Sequence, residues 1–156
     1  MIIRRADKKD TDQILDLLSE VLELHANVRP DLFVSGSTKY SEEELMDIIY
    51  DDNRPIFVAA EDDKVLGYVF CEVKYQPESR FMKSFKYLYI DDLCVDQSER
   101  GKRIGQKLFE FAKEYARQIG CFEITLNVWE GNDVAKEFYE KMGMKVKKNN
   151  MELVFD

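Results

Sequence analysis

The chain has 156 residues and a formal net charge of −8, a length that suits one domain with its own core. Its acidic balance argues against nucleic-acid binding, which needs a basic footprint, and no apolar run approaches the ~20 residues of a membrane helix. With 45% hydrophobic and 35% charged residues, it has the composition of a soluble globular protein.

Ile2 to Ala6 reads as a first strand, and Asp7 as the cap of a helix whose apolar face is Ile14, Leu17, Leu18, Val21 and Leu22. That spacing predicts a helix running to about Leu24. Residues 27–38, with Pro30 and Gly36, read as a loop. Ser41-Glu-Glu-Glu44 is a capping-box pattern opening a short helix on Leu45, Ile48 and Ile49. Pro55–Ala60 and Val65–Val73 read as a hairpin turning at Glu61–Lys64, and Phe85–Val95 as a long strand after the connection from Gln76 to Ser84.

Arg100-Gly-Lys-Arg-Ile-Gly105 follows that strand and opens the best-marked helix, with Ile104, Leu108, Phe111, Tyr115 and Ile119 at helical spacing and Gly120 as its stop. A helix N-terminus leaves N–H groups unpaired and favours an anion, and glycines let the backbone come close to one. Arg100, Lys102 and Arg103 add three cations. Together they read as a cradle for a pyrophosphate. Cys121–Val128 reads as another strand, Asn132–Met142 as a helix closed by Gly143, and Met144–Val146 and Met151–Phe155 as two final strands around a Lys-Lys-Asn-Asn turn.

The order is therefore β-α-α-β-β-β-α-β-α-β-β, a mixed sheet of the α/β or α+β class in one domain, residues 1–156. The strand ending at Val95, the helix after it and the strand from Cys121 form one right-handed crossover, so their strands are expected side by side and parallel. A ligand is expected beyond their carboxyl ends.

Two segments carry a family resemblance. Residues 93–106, Leu-Cys-Val-Asp-Gln-Ser-Glu-Arg-Gly-Lys-Arg-Ile-Gly-Gln, resemble the acetyl-CoA motif of the GNAT superfamily of N-acetyltransferases. Residues 132–143 are similar to that family's Asn-x-x-Ala-x-x-Phe-Tyr-Glu-x-x-Gly-Phe segment, with Asn132, Ala135, Phe138, Tyr139, Glu140 and Gly143 at the family spacing. Arg103 stands where the family most often has a glycine, and Asn127 where the ribosomal-protein N-terminal acetylating branch has a glutamate base. The resemblance covers essentially the whole chain. It implies a GNAT-like, mixed and mostly antiparallel central sheet of about seven strands flanked by helices.

It further implies direct transfer of acetyl from acetyl-CoA, as cosubstrate and without a metal, to a primary amine of a small molecule or protein. The cofactor contacts it implies are Leu93, Cys94, Val95, Arg100, Gly101, Lys102, Arg103, Ile104, Gly105, Gln106, Asn127, Asn132, Ala135 and Tyr139. The oxyanion donor would be strand backbone near Val95, and Tyr139 the general acid. For the base the residues offer Asp91 or Asp92, with Glu130 weaker and a water relay equally open; strand alternation allows only one aspartate on a given face unless a bulge intervenes. Tyr40, Tyr75, Phe81 and Tyr87 could line the acceptor pocket, and the acidic charge is compatible with a cationic amine. The resemblance leaves a homodimer open.

A non-catalytic acyl-CoA-binding module of the same fold is the alternative reading, and the intact Tyr139 argues against it. A cysteine-based transferase using Cys94 has only His25, the single histidine, as a partner, so a buried structural thiol is the better reading of Cys94. Cys71, Cys94 and Cys121 lack metal or redox spacing and fit reduced cytoplasmic thiols. Met-Ile-Ile-Arg-Arg-Ala shows no signal-peptide pattern.

Overall fold

The computed structural model describes residues 1–155. Five strands form one sheet in the order β1-β2-β3-β4-β5: β1 Ile2–Arg5, β2 Ile56–Glu61, β3 Lys64–Gln76, β4 Phe85–Val95 and β5 Glu123–Thr125. The first four are antiparallel neighbours, whereas β4 and β5 run parallel. Parallel neighbours need a crossover, and α3, Ile104–Gln118, supplies it. The remaining helices are α1 Thr11–Val28, α2 Glu42–Ile49 and α4 Asp133–Lys141. None is long and apolar enough to cross a membrane.

Each face of the sheet has its own core. Ile14 and Leu18 of α1 and Leu45 and Ile48 of α2 pack on Val58, Tyr68 and Phe70. Ile104, Leu108 and Ala112 of α3 pack on Ala59, Val69, Leu88 and Ile90, and Phe138, Tyr139 and Met142 of α4 close against the same cluster. Period-2 alternation in β3 accounts for the division, since Tyr68 and Phe70 face one layer while Val69 and Cys71 face the other. Leu108 is fully buried, and truncation there to alanine would cost about 2–5 kcal/mol.

The capping box at Ser41 forms as expected, with Ser41 Oγ accepting from the Glu44 N–H and Glu44 accepting from the Ser41 N–H. Helix α1 runs past Leu24 to Val28. The stop is set by Pro30, which excludes helical backbone at Arg29; that residue sits at φ −134°, ψ 74°.

Three strand expectations need correction. The strand expected over Cys121–Val128 pairs only at Glu123–Thr125. Beyond Thr125 the chain leaves β4, so no ladder can form. Met144–Val146 and Met151–Phe155 are not strands, and the sheet has five strands rather than about seven. Their residues alternate as a strand should, but a strand needs a neighbouring edge for its backbone groups. Here the Met144 N–H turns back to the Tyr139 carbonyl at 3.0 Å, closing α4 instead.

Candidate active site

The divergence of β4 from β5 makes the site. Their pairing ends at Tyr89 opposite Thr125, so Ile90–Val95 line one wall of a notch with no strand beside them. On the other side of β4, the Asp96 N–H donates to the Leu66 carbonyl at 2.8 Å. N–H direction alternates along an antiparallel strand, so Cys94 and Asp92 also point theirs at β3, and Leu93 and Val95 point theirs into the notch. The Leu93 N–H also acts on the Asp92 carboxylate, which leaves the Val95 N–H as the donor at the carboxyl end of the strand.

The crossover helix begins beside them. Arg103 is the N-cap of α3 and makes no side-chain cap bond, which leaves the first-turn N–H groups free for an anion. Its backbone is left-handed, φ 61° and ψ 27°, a region where glycine is at ease. Gly101 also has positive φ, at 87°. A Cβ on Gly105 would touch Phe138 at 3.5 Å and Val95 at 3.6 Å, so this glycine sits where α3, β4 and α4 converge. Residues 100–105 thus combine two left-handed residues, Gly101 and Arg103, with an uncapped helix start.

The three expected cations are not equivalent. Lys102 is bound to Glu99 at 2.5 Å, and Glu99 also accepts from Lys64 at 3.0 Å. Glu99 is largely buried, so this pairing shapes the loop, and the Lys102 charge is already neutralised. Arg103, Gln106 and Lys107 border a groove with Ile3 and Phe111 on the outer side of α3. Arg100 is exposed and makes no ion pair among the described residues.

The two aspartates are brought to one face by a bulge. Phe70 is opposite Asp92 and Cys71 opposite Ile90, so Asp91 is the extra residue. Asp91 accepts from Lys39 at 2.8 Å and from the Tyr40 hydroxyl at 2.7 Å. Asp92 accepts from the Tyr68 hydroxyl at 2.7 Å. Tyr40 and Tyr68 both belong to the α1/α2 layer, where Tyr40 stacks on Phe70 at 5.8 Å. Burial pushes the Asp92 carboxyl up to about 6, against the opposing pull of the Tyr68 hydrogen bond and the Lys39 charge. Asp91 is engaged on both oxygens.

Tyr139 comes from α4 and packs near Phe109 and Phe138. Burial, with a smaller contribution from the Asp92 charge, raises its phenol above the ordinary value. The Asp92 field therefore reaches it from across the strand. Among the described residues its hydroxyl has no hydrogen-bond partner. Its neighbour Phe138 makes the contact with Gly105, and both aromatics pack on the α3 core.

Asn132 caps α4, accepting from the Ala135 N–H at 3.2 Å. That bond explains both residues locally. Asn127 donates to the Tyr89 hydroxyl at 3.2 Å, a link across the notch just beyond the last β4–β5 pair. Trp129 follows it and meets Phe33 edge-on at 5.3 Å, with His25 behind at 5.2 Å. His25 is thus part of an aromatic cluster, and burial lowers its pKa. Cys94 is a half-buried thiol pushed up to about 12 by desolvation and by the Asp92 charge, which disfavours a thiolate.

Of the expected acceptor residues, Tyr40 is part of the Asp91 cluster, while Tyr75 and Phe81 stand exposed away from it. Tyr87 pairs with Glu123 at the base of β4, and Glu130 lies on the exposed turn after Trp129. Tyr68, Lys39, Tyr89, Phe33 and Trp129 border the candidate site and were not revealed by the motifs. Tyr68 carried one usable signal: a tyrosine on the inward side of a central strand needs a partner for its hydroxyl.

Comparison with known proteins finds a family and a shared fold. Residues 19–144 match the model of the acetyltransferase (GNAT) family. A glucosamine 6-phosphate N-acetyltransferase of Arabidopsis thaliana is 32% identical over 108 residues, 69% of each chain. A thialysine N-epsilon-acetyltransferase of Sus scrofa is 27% identical over 93% of this chain and 84% of its own length. Among solved structures, a mutant of the BH1408 protein from Bacillus halodurans superposes with a TM-score of 0.94 at 32% identity, over 99% of both chains. The chain belongs to the GNAT family and is an acetyltransferase.

Proposed function

We propose that the protein transfers acetyl from acetyl-CoA directly to a primary amine. The observation that carries this is the β4–β5 notch, with the Val95 N–H on one wall, an uncapped helix start at its mouth, and Asp92 and Tyr139 on either side. The cradle backbone around Arg103–Gly105 would hold the pyrophosphate. The Val95 N–H would face the thioester end.

An alkyl amine has a pKa near ~10, so at pH 7 about one in a thousand is neutral, equivalent to about 4 kcal/mol. Asp92 is the better base of the two aspartates, because Asp91 is held by Lys39 and Tyr40. With its carboxyl pushed up to about 6, Asp92 is ionised at neutral pH yet a stronger base than an ordinary carboxylate. The amine nitrogen bonds to the thioester carbon and its proton passes to Asp92. The Val95 N–H meets the oxyanion. The C–S bond then breaks, and Tyr139 protonates the departing sulfur. Solvent restores the phenol proton as Asp92 gives up its own.

The acceptor would enter on the α1/α2 side, between Tyr89, Asn127, Trp129 and the Lys39–Asp91–Tyr40 cluster. Its identity is open between an amino sugar phosphate and a lysine-like amine, the acceptors in the names of the two relatives. A cytoplasmic setting is supported by the three free cysteines.

Calorimetric titration with acetyl-CoA, CoA and a thioester lacking phosphate tests the first half. Micromolar binding of the first two alone supports the cradle, and no binding by folded protein sinks the proposal. Thiol release with a panel of amino sugar phosphates and diamines tests the second half.

A further inference from the structure

Lys39 brings a primary alkyl amine to the face of the sheet that carries Asp92. Its Nζ donates to Asp91 at 2.8 Å, and Asp91 is the bulge residue directly before Asp92. Among the described residues it is the one cation that pairs with either aspartate. Burial lifts the Asp92 carboxyl and the Lys39 charge pulls against that lift, so the ammonium and the proposed base lie within each other's field. The side chain is 42% exposed, so it is not sealed in the core. The loop presents it on an ordered backbone. Glu23 of α1 accepts from the Ser35 hydroxyl at 2.8 Å and from the Gly36 N–H at 2.6 Å. Ser37 donates its hydroxyl to the Val34 carbonyl and Thr38 to the Tyr40 carbonyl, both at 2.7 Å. An exposed ion pair adds little by itself, and this loop is already held by those bonds and by Tyr40 on Asp91.

We propose that Lys39 is a modification site for the protein's own activity, accepting an acetyl group from acetyl-CoA bound to the same chain. The inference rests on the transfer reaction proposed above. Four methylenes let the ammonium swing from Asp91 toward the thioester while the backbone stays in place. The ammonium first gives one proton to solvent. Nζ then bonds to the thioester carbon and a second proton passes to Asp92. The C–S bond breaks, and Tyr139 protonates the sulfur. Asp92 returns its proton to solvent, and solvent restores the phenol. Lysine ammonium and acetyl-CoA thus give an amide, CoA thiol and one proton, with no other reactant. The acetylated side chain is neutral, so the ion pair with Asp91 is lost and the wall of the acceptor entry loosens. A tethered amine competes best when free acceptor is scarce, so the modification would register acetyl-CoA that has no acceptor to meet.

Incubation of the full chain with acetyl-CoA and no amine, followed by intact mass and peptide mapping, is the test. One acetyl group per chain is expected, at Lys39, with one equivalent of thiol released. The rate is expected to be independent of protein concentration, as transfer within one chain requires. Lys39→Arg keeps the charge and should abolish the label, and Asp92→Asn should slow labelling by about 10²-fold or more. Label spread over many lysines, a rate that rises with protein concentration, or a wild-type rate in folded Asp92→Asn would each overturn the proposal. So would an unlabelled Lys39 in protein that releases thiol with amino sugar phosphates or diamines, and in that case the transfer reaction itself stands. Protein that labels nothing and releases no thiol with any of these amines would overturn both.

Discussion

Tyr68 donates its hydroxyl hydrogen to the Asp92 carboxylate across 2.7 Å, linking β3 to β4 on the side away from α3. The bond holds the carboxylate in one orientation beneath the notch. It does not offset burial, since the carboxyl still titrates near 6 rather than at its ordinary 3.8. A raised carboxyl pKa means that the folded state holds a proton which the unfolded state has lost. This contribution to stability is complete below pH ~4, declines as pH rises to about 6, and is absent above. Asp92→Asn keeps an acceptor for Tyr68 and removes the charge. We expect its melting temperature to exceed wild type at pH 7–8 and to equal it near pH 4. Turnover should fall by about 10²–10⁴, and the acidic limb of the wild-type profile near pH 6 should vanish. A variant that retains the limb would assign the base elsewhere.

Tyr139→Phe should lower turnover while leaving acetyl-CoA affinity nearly intact. The phenol is buried and raised above its ordinary value, so it remains protonated well into the alkaline range. A basic limb below pH ~10 therefore belongs to another group, and it should survive in the variant. Stopped-flow thiol release across pH, beside calorimetric affinity, checks both points. A wild-type rate at every pH would remove Tyr139 from the mechanism.

Asp91 fixes the loop after α1 to the sheet through Lys39 and Tyr40. In the proposed mechanism it is a positioning residue. Asp91→Asn weakens the Lys39 contact, a partly exposed pair worth about 1 kcal/mol or less. The loop forms one wall of the acceptor entry, so KM for the amine should rise severalfold while acetyl-CoA affinity stays the same. The acidic limb set by Asp92 should persist. If Asp91→Asn instead abolished that limb, the roles of the two aspartates would be reversed.

These two roles show what the sequence could and could not convey. The elements up to α4, the crossover and the left-handed loop before α3 were legible, because periodicity, caps and glycine spacing are local. That Asp91 and Asp92 share one face was not. That depends on a bulge, and a bulge is a property of two strands in register. The Glu99–Lys102 pair was missed for a similar reason, since Glu99 is buried only when Lys64 comes over from β3. The final strands failed in the opposite direction. Met151, Leu153 and Phe155 carry the alternation, but alternation does not supply a neighbour.

Gly67 places the backbones of β3 and β4 close together at the cofactor end. A Cβ there would meet the Cys94 carbonyl at 2.7 Å, and Leu108 Cδ1 and Val95 Cα at 3.2 Å each. Two of these contacts are backbone, so neither can swing aside. Gly67→Ala should cost about 1–3 kcal/mol by overpacking, and it should displace the Val95 N–H. Denaturant unfolding should show the loss of stability. Turnover should drop by more than acetyl-CoA affinity does, because the oxyanion donor moves and the cradle does not.

Arg103→Gly runs the other way. The arginine occupies a left-handed backbone at φ 61°, which costs a non-glycine residue about 1–2 kcal/mol. Glycine relieves this and also gains freedom when unfolded, which returns part of the benefit. A net gain of about 1 kcal/mol corresponds to roughly 2–4 °C in a domain of this size. Because its side chain borders the outer groove with Ile3 and Phe111, acetyl-CoA affinity should stay within about threefold, under ~0.7 kcal/mol. Arg100→Ala serves as the comparison, since Arg100 is exposed on the cradle loop. Its loss should weaken binding mainly at low salt, where an exposed charge is least screened. Affinity that collapses in Arg103→Gly but not in Arg100→Ala would show that the guanidinium, rather than the backbone, holds the pyrophosphate.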